Sequence, residues 1–63
     1  MNPDQTLIQA AYELAIRGLY AKLFEDYIEA AGVSAQEKQA DQNFTTGVTL
    51  ARKSRDSAIA LLA

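Results

Sequence analysis

Glu25, Asp26 and Glu29 form the densest group of reactive side chains in this sequence. Residues three or four apart are neighbours on a helix, so Asp26 and Glu29 share one face with Glu25 beside them. Paired carboxylates on a helix can hold metal ions. The bundles that do so combine Glu with a Glu-x-x-His partner, however, and this chain has no histidine. The acids are therefore read as a solvated face, with no metal and no other cofactor. Ser54, Ser57, Thr45, Thr46 and Thr49 supply hydroxyls, but without histidine or cysteine there is neither the usual general base nor a thiolate nucleophile. Lys22, Lys38 or Lys53 would need a desolvating pocket to act as a base. A domain of 63 residues rarely encloses one. The chain is read as non-enzymatic.

Arg52-Lys53-Ser54-Arg55 concentrates three of the six basic residues. Cations on a helix flank can contact phosphates, so Arg52, Lys53 and Arg55 define a nucleic-acid reading. Acids nearby argue for a salt-paired rim instead. Asp56 follows Arg52 by four, Glu13 precedes Arg17 by four, and Glu13 can approach Arg52 across a hairpin. The net charge of −2 supplies no general attraction for nucleic acid.

The third group is aromatic: Tyr20, Leu23, Phe24, Tyr27 and Ile28. At about 100° per residue, the apolar stripe of the first helix changes sides near Gly18. Before it, Leu7, Ile8, Ala11, Leu14 and Ala15 oppose Gln9, Glu13 and Arg17. Beyond it, Tyr20, Leu23, Phe24, Tyr27, Ile28 and Ala31 occupy the formerly polar side. Lys22, Glu25, Asp26 and Glu29 take the other. One core-facing stripe does not behave this way. Either the helix bends at Gly18 or it serves two interfaces. A contiguous exposed patch of this kind marks an interaction site. At about 25 cal/mol per Å² and about 150–250 Å² per aromatic, covering it is worth several kcal/mol.

The elements that must position these groups are helical. Asn2 caps, Pro3 suits the first helical position, and Gln5 completes a capping-box variant. Gly32 fits a left-handed helix end, with Val33 and Ile28 placed for the apolar contact of a Schellman motif. Ser34-Ala35-Gln36-Glu37 reads as a capping box for a second helix. The expectation is one all-α domain over residues 1–63. Helix one runs about 3–31, a turn 32–34, and helix two about 35–62, as an antiparallel two-helix hairpin. Ala40, Phe44, Gly47, Ala51, Ser54, Ala58 and Leu61 make a heptad seam of mostly small residues on helix two. Gly18 and Gly47 are expected to face one another. The β-branched run Phe44–Thr49 is the weak point of helix two, and a break there or at Gly18 would give three helices.

On paper, the Leu7–Ala15 stripe meets the small-residue seam, and the aromatic half of helix one meets the polar run Ser34–Thr45. The patch is then uncovered. With no cysteine for disulfides and no metal, oligomerisation is the remaining support for so short a domain. A homodimer that places the patch Tyr20, Leu23, Phe24, Tyr27 and Ile28 on itself, forming a four-helix bundle, is expected. No basic-then-apolar leader and no membrane-spanning stretch is read, and the location expected is cytoplasmic. The function favoured is a small non-catalytic interaction or regulatory protein, its partner a second copy or another protein. A dimeric RNA- or DNA-binding regulator is the second reading, and a structural subunit of a larger helical assembly the third.

Overall fold

A computed structural model describes all 63 residues. It contains helix α1, Pro3–Ala30, and helix α2, Ser34–Leu61. The two pack antiparallel as a hairpin of 45 × 15 × 9 Å. Both helices are unbroken, so neither Gly18 nor the Phe44–Thr49 run divides the chain, and the three-helix alternative does not arise. The β-branched run stays helical, with two of its hydroxyls turned back on the preceding turn. Thr45 and Thr49 donate to the carbonyls of Asp41 and Thr45 at 2.9 and 3.0 Å.

The start of α1 forms as its residues dictate. The Asn2 side chain accepts from the Gln5 amide at 2.8 Å, and the Gln5 side chain accepts from the Asn2 amide at 3.0 Å. Both also reach the far end of α2. Asn2 Nδ2 donates to the Leu62 carbonyl at 2.9 Å and Gln5 Nε2 to that of Ile59 at 3.0 Å. The last carbonyls of a helix have no partner within it. One pair of side chains thus caps α1, satisfies the end of α2 and closes the hairpin.

The turn differs from expectation by one residue on each side. Ala31, rather than Gly32, takes the first left-handed position, with φ 50°, and its amide bonds to the Tyr27 carbonyl. This is the simpler left-handed cap rather than the Schellman pairing. Gly32 follows with φ 83°. Ser34 is already inside α2, and Val33 occupies the cap position with no side-chain bond to the helix. The anticipated Ser34–Glu37 capping box is therefore absent. Reversal within three residues leaves no room for Ser34 outside the helix.

The seam on α1 corrects the sequence reading most. Its less exposed residues are Gln5, Gln9, Tyr12, Ile16, Leu19, Leu23, Asp26 and Ala30, with Ile8 beside Gln9. Their spacings alternate four and three without interruption through Gly18, the spacing of a coiled-coil seam. Of the stripe expected to face α2, only Ile8 does so; Leu7, Ala11, Leu14 and Ala15 are exposed. On α2 the seam holds Ala40, Phe44, Gly47, Ala51 and Ala58 as expected, but Arg55 replaces Ser54, and Leu61 is exposed. Gly47 lies against Leu19, whereas nothing lies within 4 Å of where a Gly18 side chain would start. The two glycines therefore do not meet.

Only Ala30 and Ala40 are fully buried. A chain this length packed as a globule would have a radius of gyration of about 10.6 Å; the hairpin has 14.6 Å. Two helices side by side make a seam but not an interior.

Candidate functional site

With the seam fixed, the rest of α1 can be placed at about 100° per residue. The seam occupies one side. Ala11 and Ala15 fall on one flank, Leu7 and Leu14 point away from α2, and Tyr20, Phe24 and Tyr27 lie on the opposite flank. The hairpin is a slab with two broad faces. One is apolar at the open end, near the chain ends; the other is apolar at the loop end.

At the loop end Tyr20, Leu23, Phe24 and Tyr27 line an apolar pocket of about 340 Å³. All four belong to α1, and i, i+3, i+4 and i+7 spacing brings them together. Phe24 is 57% exposed and Tyr27 38%. Ile28 is exposed beside them but does not line the pocket. The structure thus assembles four of the five residues picked out as a patch. It adds one the sequence reading missed, Asp41 of α2, whose carboxylate accepts a hydrogen bond from the Tyr27 hydroxyl. That bond, then loss of solvent, then the charges of Asp41 and Glu37, hold the Tyr27 hydroxyl protonated to higher pH than usual. The signal was present: Tyr27 and Asp41 are level in the hairpin, and an acid opposite a tyrosine is a ready acceptor. The α2 stretch Ser34–Thr45 is almost wholly polar, yet it anchors one ring.

At the open end Ile8, Ala11, Tyr12 and Ala15 of α1 and Ala51, Ser54, Arg55 and Ala58 of α2 line a groove of about 320 Å³. Its floor is mostly alanine because the seam there is built of small residues. Leu50 and Leu61 stand beside it, 60% and 83% exposed, while Leu7 and Leu14 project from the outer edge of α1.

The basic residues do not form one surface. Arg55 folds into the seam with its guanidinium carbon 4.2 Å from the centre of the Tyr12 ring, a cation–π contact. Its Nε donates to Asp56 at 3.0 Å. Arg52 and Lys53 are exposed and, 100° apart, point in different directions. The pairs foreseen between Arg52 and Asp56 and between Arg17 and Glu13 are not made. The ion pairs present are Lys22–Asp26 and Arg55–Asp56. Asp56 goes to its immediate neighbour because Arg55, pinned over Tyr12, presents Nε to it.

In the acidic group Asp26 turns toward the seam and accepts from Lys22 Nζ at 2.7 Å. That bond first, and the pull of Asp26, Glu29 and Glu25 after it, raise the Lys22 pKa against a smaller opposing effect of lost solvent. No three carboxylates converge anywhere in the hairpin. Ser54 donates to the backbone carbonyls of Leu50 and Ala51 at 2.9 and 3.2 Å. The hydroxyls of Thr45, Thr49 and Ser54 are thus bonded to backbone rather than to a base. No helix is long and apolar enough to cross a membrane.

Compared with protein-family models, with curated proteins and with solved structures, the chain matches none.

Proposed function

We propose that this chain is a small non-catalytic interaction protein that docks an apolar segment of another polypeptide on the Tyr20–Leu23–Phe24–Tyr27 pocket. In this reading it works as two hairpins assembled into a four-helix bundle. The observation that carries the docking is the pocket itself. Three aromatic rings and a leucine cluster on one helix, largely in water, when burying them would contribute several kcal/mol. Tyrosine and phenylalanine anchors in an apolar pocket are what interface centres are made of. Asp41 steadies one ring, which lowers the ordering cost of binding. An amphipathic helix, read through residues spaced three and four apart, is the partner shape that suits such a surface. The basic residues favour a nucleic-acid partner less, since Arg55 is committed to Tyr12 and Asp56.

The test is a titration of the isotope-labelled protein with a synthetic amphipathic helix carrying leucines at i, i+3, i+4 and i+7 and lysines elsewhere. Amide shifts should concentrate at Tyr20–Ile28 and disappear in Phe24→Asp. That variant should keep its helicity, because Phe24 is mostly exposed. Absent shifts, or shifts unchanged by Phe24→Asp, would remove the proposal.

A further inference from the structure

We infer that two copies of this chain associate antiparallel along the outer edge of α1. The two α1 helices then lie together in the middle, with an α2 on each outside. This rests on the reading that the hairpin self-associates, and not on what the aromatic pocket binds.

Periodicity gives the first argument. Leu7, Ala10, Leu14, Arg17, Ala21, Phe24, Ile28 and Ala31 recur at alternating spacings of three and four, a second heptad line on the same helix. By helical position the line points away from α2, and all eight residues are exposed. Seven of the eight are apolar. The seam that does pack on α2 is less so, since it carries Gln5, Gln9 and Asp26. The corresponding outer places on α2 differ again. Between Ala35 and Ile59 they hold Lys38, Gln42, Thr45, Thr49, Arg52 and Asp56, all polar. An outer edge that stays in water reads like that of α2. Apolar heptads sustained over more than three repeats, as on α1, are what a further helix covers.

The order of large and small residues says what covers it. A two-fold contact must be self-complementary, the same surface serving both copies. Laid antiparallel on a second copy with Leu14 level with Phe24, the line matches itself along its whole length. Leu7 meets Ala31, Ala10 meets Ile28, Leu14 meets Phe24 and Arg17 meets Ala21; the two-fold axis then repeats the four pairs in reverse. Three of the four set a long side chain against alanine, the alternation that lets facing layers interdigitate. Arg17 lays its stem along Ala21 and carries its charge past it into water. Beside the line, Glu25 falls next to Ala11, Glu13 next to Tyr27, Asp4 next to the turn, and Tyr20 next to its own copy near the axis, so no acid meets an acid. Other arrangements lose this match. A parallel pair sets Ala10, Ala21 and Ala31 each against itself and brings two Arg17 to one level. Sliding the antiparallel pair by one heptad either way sets Arg17 against Leu14 or Ile28 and shortens the contact. In the matched register Leu14 of one copy reaches the edge of the other's aromatic pocket, at Phe24.

The experiment is light scattering on a dilution series of wild type, Leu14→Asp and Tyr27→Ser, with cysteine crosslinking to fix the register. Leu14 is 64% exposed, so its change leaves the seam with α2 intact. Wild type and Tyr27→Ser should have the mass of two chains at low micromolar concentration. Leu14→Asp should dissociate at concentrations about 100-fold higher, because a carboxylate would be buried without a partner. A wild type with the mass of one chain overturns the inference, as does a two-chain mass kept in Leu14→Asp and lost in Tyr27→Ser. The wild type also answers alone, should Leu14→Asp fail to fold. The chain has no cysteine, so introduced ones report position directly. A mixture of Ala10→Cys and Ile28→Cys chains should oxidise to a linked pair containing one of each. Neither should link to its own kind, since in this register like positions stand about 27 Å apart along the axis. Ala10→Cys chains that link to themselves, or a mixture that does not link, overturn the inference. Failure of the peptide titration would touch none of these readouts.

Discussion

Gly18 and Gly47 stand in the interiors of the two helices, and the same substitution should act on them with opposite sign. Replacing a helix-interior glycine with alanine gains about 1 kcal/mol from helix propensity. At Gly18 nothing lies within 4 Å of the new Cβ, so the whole gain is expected. For a domain this small that is a rise in Tm of about 4–8 °C. At Gly47 the new Cβ falls 2.5 Å from Leu19 Cδ2 and 3.3 Å from Cδ1. Carbon atoms rest at about 3.5–4.0 Å, so Leu19 must shift by about 1 Å. Overpacking of that kind costs about 1–3 kcal/mol. Set against the propensity gain, Gly47→Ala should destabilise by about 1 kcal/mol net. The decisive control is Leu19→Ala, which removes all three atoms the new methyl would meet. In that background Gly47→Ala should stabilise by about 1 kcal/mol, a coupling of about 2 kcal/mol. Urea unfolding followed by circular dichroism measures all four corners of the cycle. Each chain carries Gly18→Ala to hold the baseline, at one protein concentration because association shifts apparent stability. A Gly47→Ala chain more stable than its parent, or an effect indifferent to Leu19, would refute the seam as described.

Three further outcomes follow from the ends, the turn and the Tyr27 hydroxyl. Asn2→Ala removes both the cap on α1 and the bond to Leu62, and should cost about 2 kcal/mol in urea unfolding; Asn2→Asp, which keeps the cap acceptor but not the donor, should cost about half as much. Val33→Thr places a hydroxyl acceptor where α2 has no side-chain cap, and should raise Tm by a few degrees, on the order of 0.5–1 kcal/mol; no gain would mean the turn cannot seat the hydroxyl. The Tyr27 pKa is raised above 10.0 in the folded chain, chiefly by its bond to Asp41. Its contribution is therefore complete below pH 10.0 and lost as pH climbs through the folded value. Stability should be level from pH 7 to 9 and fall above about pH 10, and Tyr27→Phe should make that fall shallower. Part of the fall remains in Tyr27→Phe, because Lys22, also raised, gives up its bond to Asp26 above 10.5. An identical alkaline decline in Tyr27→Phe would deny the bond any weight.

The hairpin was legible in the sequence because its signals are local. Asn2, Pro3 and Gln5 specify a start within one turn, and Gly32 marks the reversal to within a residue. What sequence could not separate was which side of α1 faces α2. The sequence assigns the stripe before Gly18 to α2 and the stripe beyond it to an interface between chains, with a bend at Gly18 as the alternative. The structure turns neither stripe to α2. It sets the seam between them, along Gln5, Gln9, Tyr12, Ile16, Leu19, Leu23, Asp26 and Ala30. That line is mixed in character, so a search for the most apolar stripe passes over it, although its four-three spacing is unbroken. The residues inside it are kept there by partners on α2: Gln5 by a carbonyl, Tyr12 by Arg55, Leu19 by Gly47. Each is a contact of long sequence separation, invisible to propensity. The phase reversal at Gly18 thus has a different meaning. A helix whose apolar residues flank its own hairpin seam on both sides cannot bury them within one hairpin, because α2 occupies the only side between.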